Sequence, residues 1–329
     1  MVRKKRLAGK VINMRIGIFK NWTYPDLRRQ TPKQKGVWNG IEFHLDNPDL
    51  EYDYVVILNT VSQPVKVTCP PNKVWRMMQE PPEGGYIKLS NPHRTFSRIY
   101  TNDESRTDKC HYHHHGSLPW HVNKSYDDLK AQGLITKTKN LSWITSNKTA
   151  LKGHQDRMQF LQDLQNSDLD FDLLGRGFQE IDDKWDGLAP YKYSIAIENH
   201  RNPFYWTEKI SDCFSAWTMP LYYGCTNIQD YFPKESFIHI DIKDPKVFDH
   251  IQDVINSDLY EKNVDAIAHA RELVLDKYNL FAFIANEIEK DDEPPMKKKS
   301  IKLKAELKPT IFTPIKNKFT SLFKLENAC

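Results

Sequence analysis

Long apolar runs are missing from this chain. Nowhere in its 329 residues do roughly 18 apolar side chains follow one another, as a membrane-crossing helix requires, and no secretory leader pattern opens it. Cysteine is scarce too. Cys69, Cys110, Cys213, Cys225 and Cys329 are odd in number and share no paired spacing, which argues against a disulfide framework and predicts reduced thiols. Metal-ligand spacing is also absent. The run Cys110-His111-Tyr112-His113-His114-His115 is rich in ligand types but holds no Cys-x-x-Cys or His-x-x-x-His pair, and neighbours in a single loop rarely close a tetrahedral site. No internal repeat is visible.

What is present is apolar material, 39% of the chain, enough to bury two ordinary cores, so two domains are expected. The net charge of +4 conceals a polarity. Both ends are lysine-rich, MVRKKRLAGK at the front and KKKSIKLKAELK from Lys297 to Lys308, around a body that would be acidic without them. Beyond Pro294-Pro295, Thr313 and Pro314 offer a helix start, and Ile315, Phe319, Leu322 and Phe323 fall on one face beside Lys316, Lys318 and Lys324. Such a helix suits an anionic membrane surface, the alternative being a solvated tail. No nucleic-acid-binding module accompanies the basic ends, so no nucleic-acid partner is expected.

The densest information runs from Tyr191 to Ile242. Tyr193 to Ile197 is a short apolar run ending in Glu198-Asn199, and a strand that ends in an acid and an amide carries both to the carboxyl edge of its sheet, where ligands bind in open α/β folds. Thr207 is a good N-cap for a helix with Ile210, Cys213, Phe214 and Trp217 at helical spacing and Glu208 and Lys209 in its first turn. A helix start carrying a lysine suits a diphosphate. Further strands are expected at Met219 to Tyr223 and Phe237 to Ile242, and the crossovers between them imply parallel pairing.

In these residues the chain resembles the α-1,3/4-fucosyltransferases of glycosyltransferase family 10. YKY at Tyr191, IEN at Ile197, YWTEK at Tyr205, MPLYYG at Met219 and SFIHI at Ser236 stand in that family's order and spacing. Upstream, WITSNKTALKGHQDRMQF from Trp143 supplies Ser146, Asn147 and Arg157 at matching positions, and VWRMMQEPPEGGY from Val74 supplies Glu80. The resemblance implies an α/β GT-B fold, two Rossmann-like αβ domains facing a cleft, to which this chain adds a basic C-terminal tail. The expected divisions are a basic arm at 1–13, an acceptor-binding domain at 14–138, a donor-binding domain at 139–290 and the tail at 291–329. Strands are expected at Arg15 to Phe19, Asp53 to Asn59, Val74 to Met78, Ser142 to Thr145 and Phe171 to Leu174, with a helix at Arg157 to Leu164 and a long closing helix from Val264 to Asn286.

The resemblance further implies inverting transfer of L-fucose from GDP-β-L-fucose to a glycan hydroxyl, with no cofactor required and a divalent metal at most stimulatory. Inversion by single displacement needs a carboxylate to take the acceptor proton. Glu80 stands at the family's base position, although by itself it reads as a turn acid before Pro81-Pro82. Lys209 and Arg157 fit the stabilisation of a departing diphosphate, and Arg176, in a Gly-Arg-Gly turn, is a further phosphate candidate. Glu198 and Glu208 look like the family's pair for the fucose and the ribose or base, with Asn199 and Tyr205 lining the same pocket. Trp206 stands where Val or Ile is usual in the family and leaves another nucleotide sugar open. An inactive glycan-binding or membrane-adaptor protein is the alternative from a different class.

On the acceptor side, the imidazoles of His111 to His115 and the indole of Trp120 suit carbohydrate hydroxyls and faces. Asp168-Leu169-Asp170 imitates a metal-holding Asp-x-Asp but leads into a buried strand, so it is expected to be solvated. Animal members of the family carry an N-terminal membrane anchor, and none is expected here. The expectation is therefore a bacterial-type enzyme, cytoplasmic and peripheral on the inner face of the cell membrane through its tail. Its expected acceptor is a lipopolysaccharide or other surface glycan, joined α-1,3 to GlcNAc or Glc.

Overall fold

The computed structural model describes residues 14–306. Strands β1 (Arg15–Lys20), β2 (Val37–Trp38), β3 (Ile41–Leu45) and β4 (Tyr54–Leu58) come first, then β5 (Val65–Cys69), β6 (Val74–Met77), β7 (Arg98–Thr101) and β8 (His111–His113). All but β5 form one sheet in the order β2-β3-β1-β4-β6-β7-β8, parallel except for the short β2–β3 pair. The strand YVVIL of β4 is buried along its whole length, as a central parallel strand covered on both faces must be. Its alternation sorts the cores: Tyr54, Val56 and Leu58 join Ile16 and Ile18 on one face, while Val55 and Ile57 join Phe19 and Val67 on the other.

After helix α1 (Tyr126–Ala131), the second sheet is built from β9 (Lys139–Ile144), β10 (Asp172–Leu174), β11 (Tyr191–Ile197), β12 (Met219–Tyr223) and β13 (Ile238–His239). Its order is β10-β9-β11-β12-β13, and every pair is parallel. Helix α2 (Lys152–Gln165) connects β9 to β10, and α3 (Glu208–Ser215) connects β11 to β12. The chain steps outward one way from β9 and the other way from β11. That reversal leaves a crevice beyond the carboxyl ends of these two strands, the place where open α/β sheets bind ligands.

Helices α4 (Val247–Asn256), α5 (Leu259–Lys262), α6 (Val264–Asp276) and α7 (Leu280–Glu289) complete the described helices. The single closing helix expected from Val264 to Asn286 is therefore two helices. Asn279 makes the break: its side-chain oxygen caps α7 by accepting from the Phe281 N–H at 2.9 Å, and its amide donates to the Gln30 carbonyl at 2.8 Å. The redirection sends the two apolar stripes to different cores. Ile267, Ala270, Val274 and Leu275 of α6 pack under the second sheet, whereas Leu280, Phe281, Ile284 and Ile288 of α7 pack under the first.

The segment expected to be wholly tail also returns to the first domain, where it forms a separate two-stranded sheet. β14 (Lys299–Leu303) pairs antiparallel with β5, and Ile301 and Leu303 join the core that holds Val55 and Ile57. Asp291 anchors this return, its buried carboxylate meeting Lys73 Nζ at 2.8 Å, an Arg98 guanidinium nitrogen at 2.8 Å and the Tyr54 hydroxyl at 3.0 Å. The basic arm at 1–13 and the amphipathic helix expected from Thr313 lie outside the described residues. Among the described residues no helix is long and apolar enough to cross a membrane.

Candidate active site

A cavity of about 420 Å³ opens at the carboxyl edge of the second sheet. The end of β9 contributes Thr145 and Ser146, the turn after β10 contributes Gly175 and Arg176, and the first turn of α3 contributes Glu208 and Lys209. The walls carry the cations Lys148, Arg157, Arg176, Lys184 and Lys209 against only two carboxylates, Glu208 and Asp212. That imbalance suits an anionic ligand. Of the residues expected to bind a donor, Ser146, Arg157, Arg176, Glu208 and Lys209 line the cavity.

Glu198 sits behind the wall with no exposed side-chain surface. Its carboxylate accepts from the Thr207 N–H at 2.8 Å, from the Thr207 hydroxyl at 2.8 and 3.0 Å, and from Lys209 Nζ at 3.0 Å. Gly224 is required opposite it, because a Cβ there would run into the Glu198 side chain. Thr207 in turn accepts from the Lys209 N–H and caps α3, as expected. Glu198 thus fixes the helix start and the lysine on it, and the expectation that it grips the ligand directly gives way to this supporting place. Burial pushes the Glu198 carboxyl up, with Lys209 opposing the shift. Burial also works against charge on Lys209, but Glu198 and Glu208 outweigh it and hold the ammonium protonated above its ordinary range. For Glu208 burial is again the adverse influence, overcome by Lys209, Lys184 and His121, which hold the carboxyl well below the usual range.

Arg157 is buried, and one of its terminal nitrogens donates to the Ser146 carbonyl at 3.1 Å. Its Nε and the neighbouring Thr145 hydroxyl have no hydrogen-bond partner among the described residues. Buried donors of this kind ordinarily find partners; both residues line the cavity, with these two atoms shielded beneath its surface. Burial draws the arginine below its ordinary range, with Glu198 and Glu208 opposing. The Gly-Arg-Gly turn packs on the β9 loop: Gly175 and Gly177 have positive φ of 111° and 85°. A Cβ on Gly175 would strike the Thr145 carbonyl, and one on Gly177 would strike the Asn147 amide. Asn147 donates its N–H to the Arg176 carbonyl at 3.3 Å, so it secures the turn, and it is exposed and not among the lining residues.

Asn199 and Tyr205 lie behind the cavity wall, not on it as expected. The Tyr205 hydroxyl donates to Asn199 Oδ1 at 2.8 Å, and the Asn199 amide is 3.3 Å from His154 Nε2. Burial, reinforced by Glu198 and Glu80, keeps the Tyr205 phenol neutral far above its ordinary range. His154 is pulled down to about 4 by burial and by Arg157, Lys148 and Lys209, so its neutral ring can accept from the Leu151 N–H at the start of α2.

Glu80 approaches from the other domain, just beyond β6, and is not part of the cavity lining. Asn59 Oδ1 accepts from the Gln79 N–H at 2.7 Å and more weakly from the Glu80 N–H at 3.4 Å, while the Asn102 amide donates to the Glu80 carbonyl at 3.0 Å. Burial raises the Glu80 carboxyl and Glu208 adds to the rise, with Lys209 and Lys148 opposing it. These influences act across the cleft. The same loop is met by His200 Nδ1, 2.6 Å from Glu83 Oε1, and the neighbouring loop after β7 by the Asn202 amide, which donates to the Asn102 carbonyl at 2.7 Å.

The histidine cluster has a different place from the expected glycan-facing one. His113 stacks on Phe204 at 4.6 Å, His114 on Phe283 at 3.6 Å and His115 on Trp206 at 3.8 Å between ring centroids. The His113–Phe204 and His115–Trp206 pairs pack the seam between the domains, while Phe283 on α7 packs His114 against the first domain. Burial drives His114 down to about 3 and His115 far below its usual range, so both are neutral packing groups. Trp120 is buried as well, its indole N–H donating to the Lys124 carbonyl at 3.0 Å. Trp206 belongs to an aromatic knot with Tyr231, Phe232 and Tyr278 and does not line the cavity. Asp172 starts β10 at the opposite edge of the sheet, engaged by Lys139 and Tyr191. No group of three or more His, Cys, Asp or Glu is arranged to hold a metal ion among the described residues.

Sequence reasoning missed Lys184, Asp212 and His121, all on the cavity wall. Asp212 lies one turn after Glu208 on α3, a spacing that could have flagged it. Lys184 opens a single short helical turn and His121 lies in a loop, and neither segment is long enough to carry a periodic signal.

Residues 134–263 match the family model for the C-terminal domain of glycosyltransferase family 10 (fucosyltransferase). A 3-galactosyl-N-acetylglucosaminide 4-alpha-L-fucosyltransferase of Pongo pygmaeus is 28% identical over 181 residues, covering 51% of this chain and 44% of that protein. A 4-galactosyl-N-acetylglucosaminide 3-alpha-L-fucosyltransferase of Homo sapiens is also 28% identical over 181 residues, covering 51% of this chain and 43% of that one. The chain therefore spans less than half the length of these relatives. Among solved structures, an alpha1,3-fucosyltransferase with GDP-fucose superposes with a TM-score of 0.47 at 15% identity, over 89% of this chain and 95% of that one. A glycosyltransferase from Rickettsia africae superposes with a TM-score of 0.49 at 10% identity, over 84% and 97%.

Proposed function

We propose, for a chain that carries the C-terminal domain of glycosyltransferase family 10, that it transfers L-fucose from GDP-β-L-fucose to a glycan hydroxyl with inversion. The observation that carries this reading is the cation-rich cavity at the strand-order reversal, with the capped start of α3 and the charged Lys209 on its wall. In the proposed reaction the GDP diphosphate lies against Lys209 and Arg157, both on the cavity wall, the guanidinium being suited to phosphate oxygens. The acceptor oxygen attacks the anomeric carbon as the bond from that carbon to the β-phosphate oxygen breaks. Negative charge grows on the departing GDP, where fixed cations lower the barrier. The acceptor proton passes to Glu80, whose raised carboxyl pKa suits a general base.

Trp206 lies in the aromatic knot and off the cavity wall, which supports keeping fucose as the proposed donor sugar. We place the acceptor across the cleft, beside Glu80 in the first domain. The proposed setting is a bacterial surface glycan such as lipopolysaccharide, joined α-1,3 to GlcNAc or Glc. The proposed location is the cytoplasmic face of an anionic membrane, reached through the basic segment beyond residue 306. The test is incubation of the full chain with GDP-fucose and a panel of N-acetyllactosamine-type and lipid-linked acceptors, following GDP release and product anomer. An α-linked fucoside supports the reading. A β-linked product would overturn the single displacement, and transfer only from other nucleotide sugars would overturn the donor.

A further inference from the structure

Lys184 stands between two carboxylates of α3. Its Nζ is 2.9 Å from Asp212 Oδ2 and 3.5 Å from Glu208 Oε1, and it is partly open to the cavity. Asp212 has its other oxygen committed, accepting from the N–H groups of His121 at 2.6 Å and Val122 at 3.3 Å. The residue before Lys184 reinforces this arrangement: Asp183 Oδ1 accepts from the Asn123 N–H at 2.9 Å and caps the short turn that carries Lys184. The loop at 183–184, the linker at 121–123 and α3 therefore meet at one ammonium.

Glu208 is left with a single well-defined environment. Lys209 Nζ lies 3.8 Å, Lys184 Nζ 3.5 Å and His121 Nδ1 3.9 Å from the same oxygen, Oε1. These three groups stand at ion-pair distances of 3.5–3.9 Å from Oε1, and Glu208 lines the cavity, so its carboxylate keeps hydrogen-bonding capacity for a ligand there. A carboxylate held in this way suits recognition of vicinal hydroxyls or ring N–H groups, the donors that a nucleoside presents.

We infer that Lys184 is a positioning residue for the nucleotide site, holding Glu208 ionised and oriented so that its carboxylate meets the nucleoside. This rests on the donor-site reading above and deepens it. Besides Lys184, the charged or titratable groups around Glu208 are Lys209 and Asp212 on its own helix, His121 from the linker, Glu198 from β11, Arg157 from α2 and Glu80 from the facing domain. Removing the Lys184 ammonium removes one of the two lysines that keep the Glu208 carboxyl low. The carboxyl must then take up its proton at higher pH, and nucleotide binding must fail earlier on acidification.

The experiment is calorimetric titration of the full chain with GDP across the acid range for wild type, Lys184→Met, Lys184→Arg and Glu208→Gln. Lys184→Met should weaken GDP binding about tenfold near neutral pH, the scale of a hydrogen bond to a charged group, and shift the acid loss of binding upward. Lys184→Arg should restore most of the affinity, and Glu208→Gln should lose that acid limb. Where Lys184→Met fails to fold because Asp212 is left unpaired, Lys184→Met with Asp212→Asn removes the orphan charge and carries the same expectation. Wild type that binds GDP while the Lys184→Met forms keep its affinity and acid limb would overturn this inference alone. Wild type that binds no GDP would overturn the donor-site reading and this inference with it.

Discussion

The two domains share a parallel-sheet plan but use their carboxyl edges differently. The second gathers its charges into one cavity: Glu198, Thr207, Lys209, Glu208, Lys184 and Asp212 form a chain of contacts around a single helix start. The first brings one raised carboxyl, Glu80, to the cleft, and uses its other polar groups to tie loops together and to seal the seam with stacked histidines. The difference follows from the chemistry proposed for each. A diphosphate needs several cations held in fixed geometry, which a capped helix beside a strand end provides. A proton acceptor needs one group at the correct height above the site.

That contrast breaks most visibly at Glu80. Glu80→Gln should cut transfer by ~10²–10⁴-fold, the range for loss of a general base, while GDP affinity measured by calorimetry stays unchanged; parallel loss of both would place Glu80 in the nucleotide site. Asp291→Ala should do the reverse. It strands the buried Lys73 charge and the half-buried Arg98 beside it, at a cost of ~3–5 kcal/mol in urea unfolding, with GDP affinity per folded molecule preserved. Trp206→Ala should likewise cost ~3–5 kcal/mol as a buried indole is lost without altering the preference among nucleotides, and an altered preference would return Trp206 to the sugar pocket.

Lys209→Ala should sharpen the contrast from the other side, lowering turnover by ~10²–10³-fold together with GDP affinity. The smallest effect is in pH. The proposed base role needs Glu80 deprotonated, and its pKa is raised above the ordinary carboxylate value of about 4.3, so turnover should fall as pH drops through that raised value. Glu208 is held low, so GDP binding should persist at pH values where turnover has already gone. Coincident acid limbs for rate and binding would contradict the division of roles.

Much of the second domain was legible because its signals are local. The strand over Tyr193 to Ile197, the Thr207 cap and the Met219 to Tyr223 strand are each written in neighbouring residues, and the structure has them. What was hidden depends on contacts distant in sequence. Asn279 breaks a continuous helical pattern only because its amide reaches Gln30 in the other domain. Lys299 to Leu303 read as tail because its lysines mask an alternating Ile301 and Leu303 that need β5 to pair with. His114 and His115 read as polar surface because nothing nearby in sequence announces Phe283 and Trp206 as stacking partners. Glu198 and Tyr205 were placed in the right neighbourhood but one layer too far forward, since periodicity places a residue at a strand end without saying which side of the wall it occupies.

The central claim is that the cavity of the second domain is a guanosine diphosphate site. Calorimetric titration of the full chain with GDP and, separately, UDP, in EDTA, tests it most directly. The account predicts binding of GDP in strong preference to UDP, lost on Lys209→Ala and retained on Glu80→Gln. Equal or better binding of UDP, or GDP binding indifferent to Lys209, would contradict it.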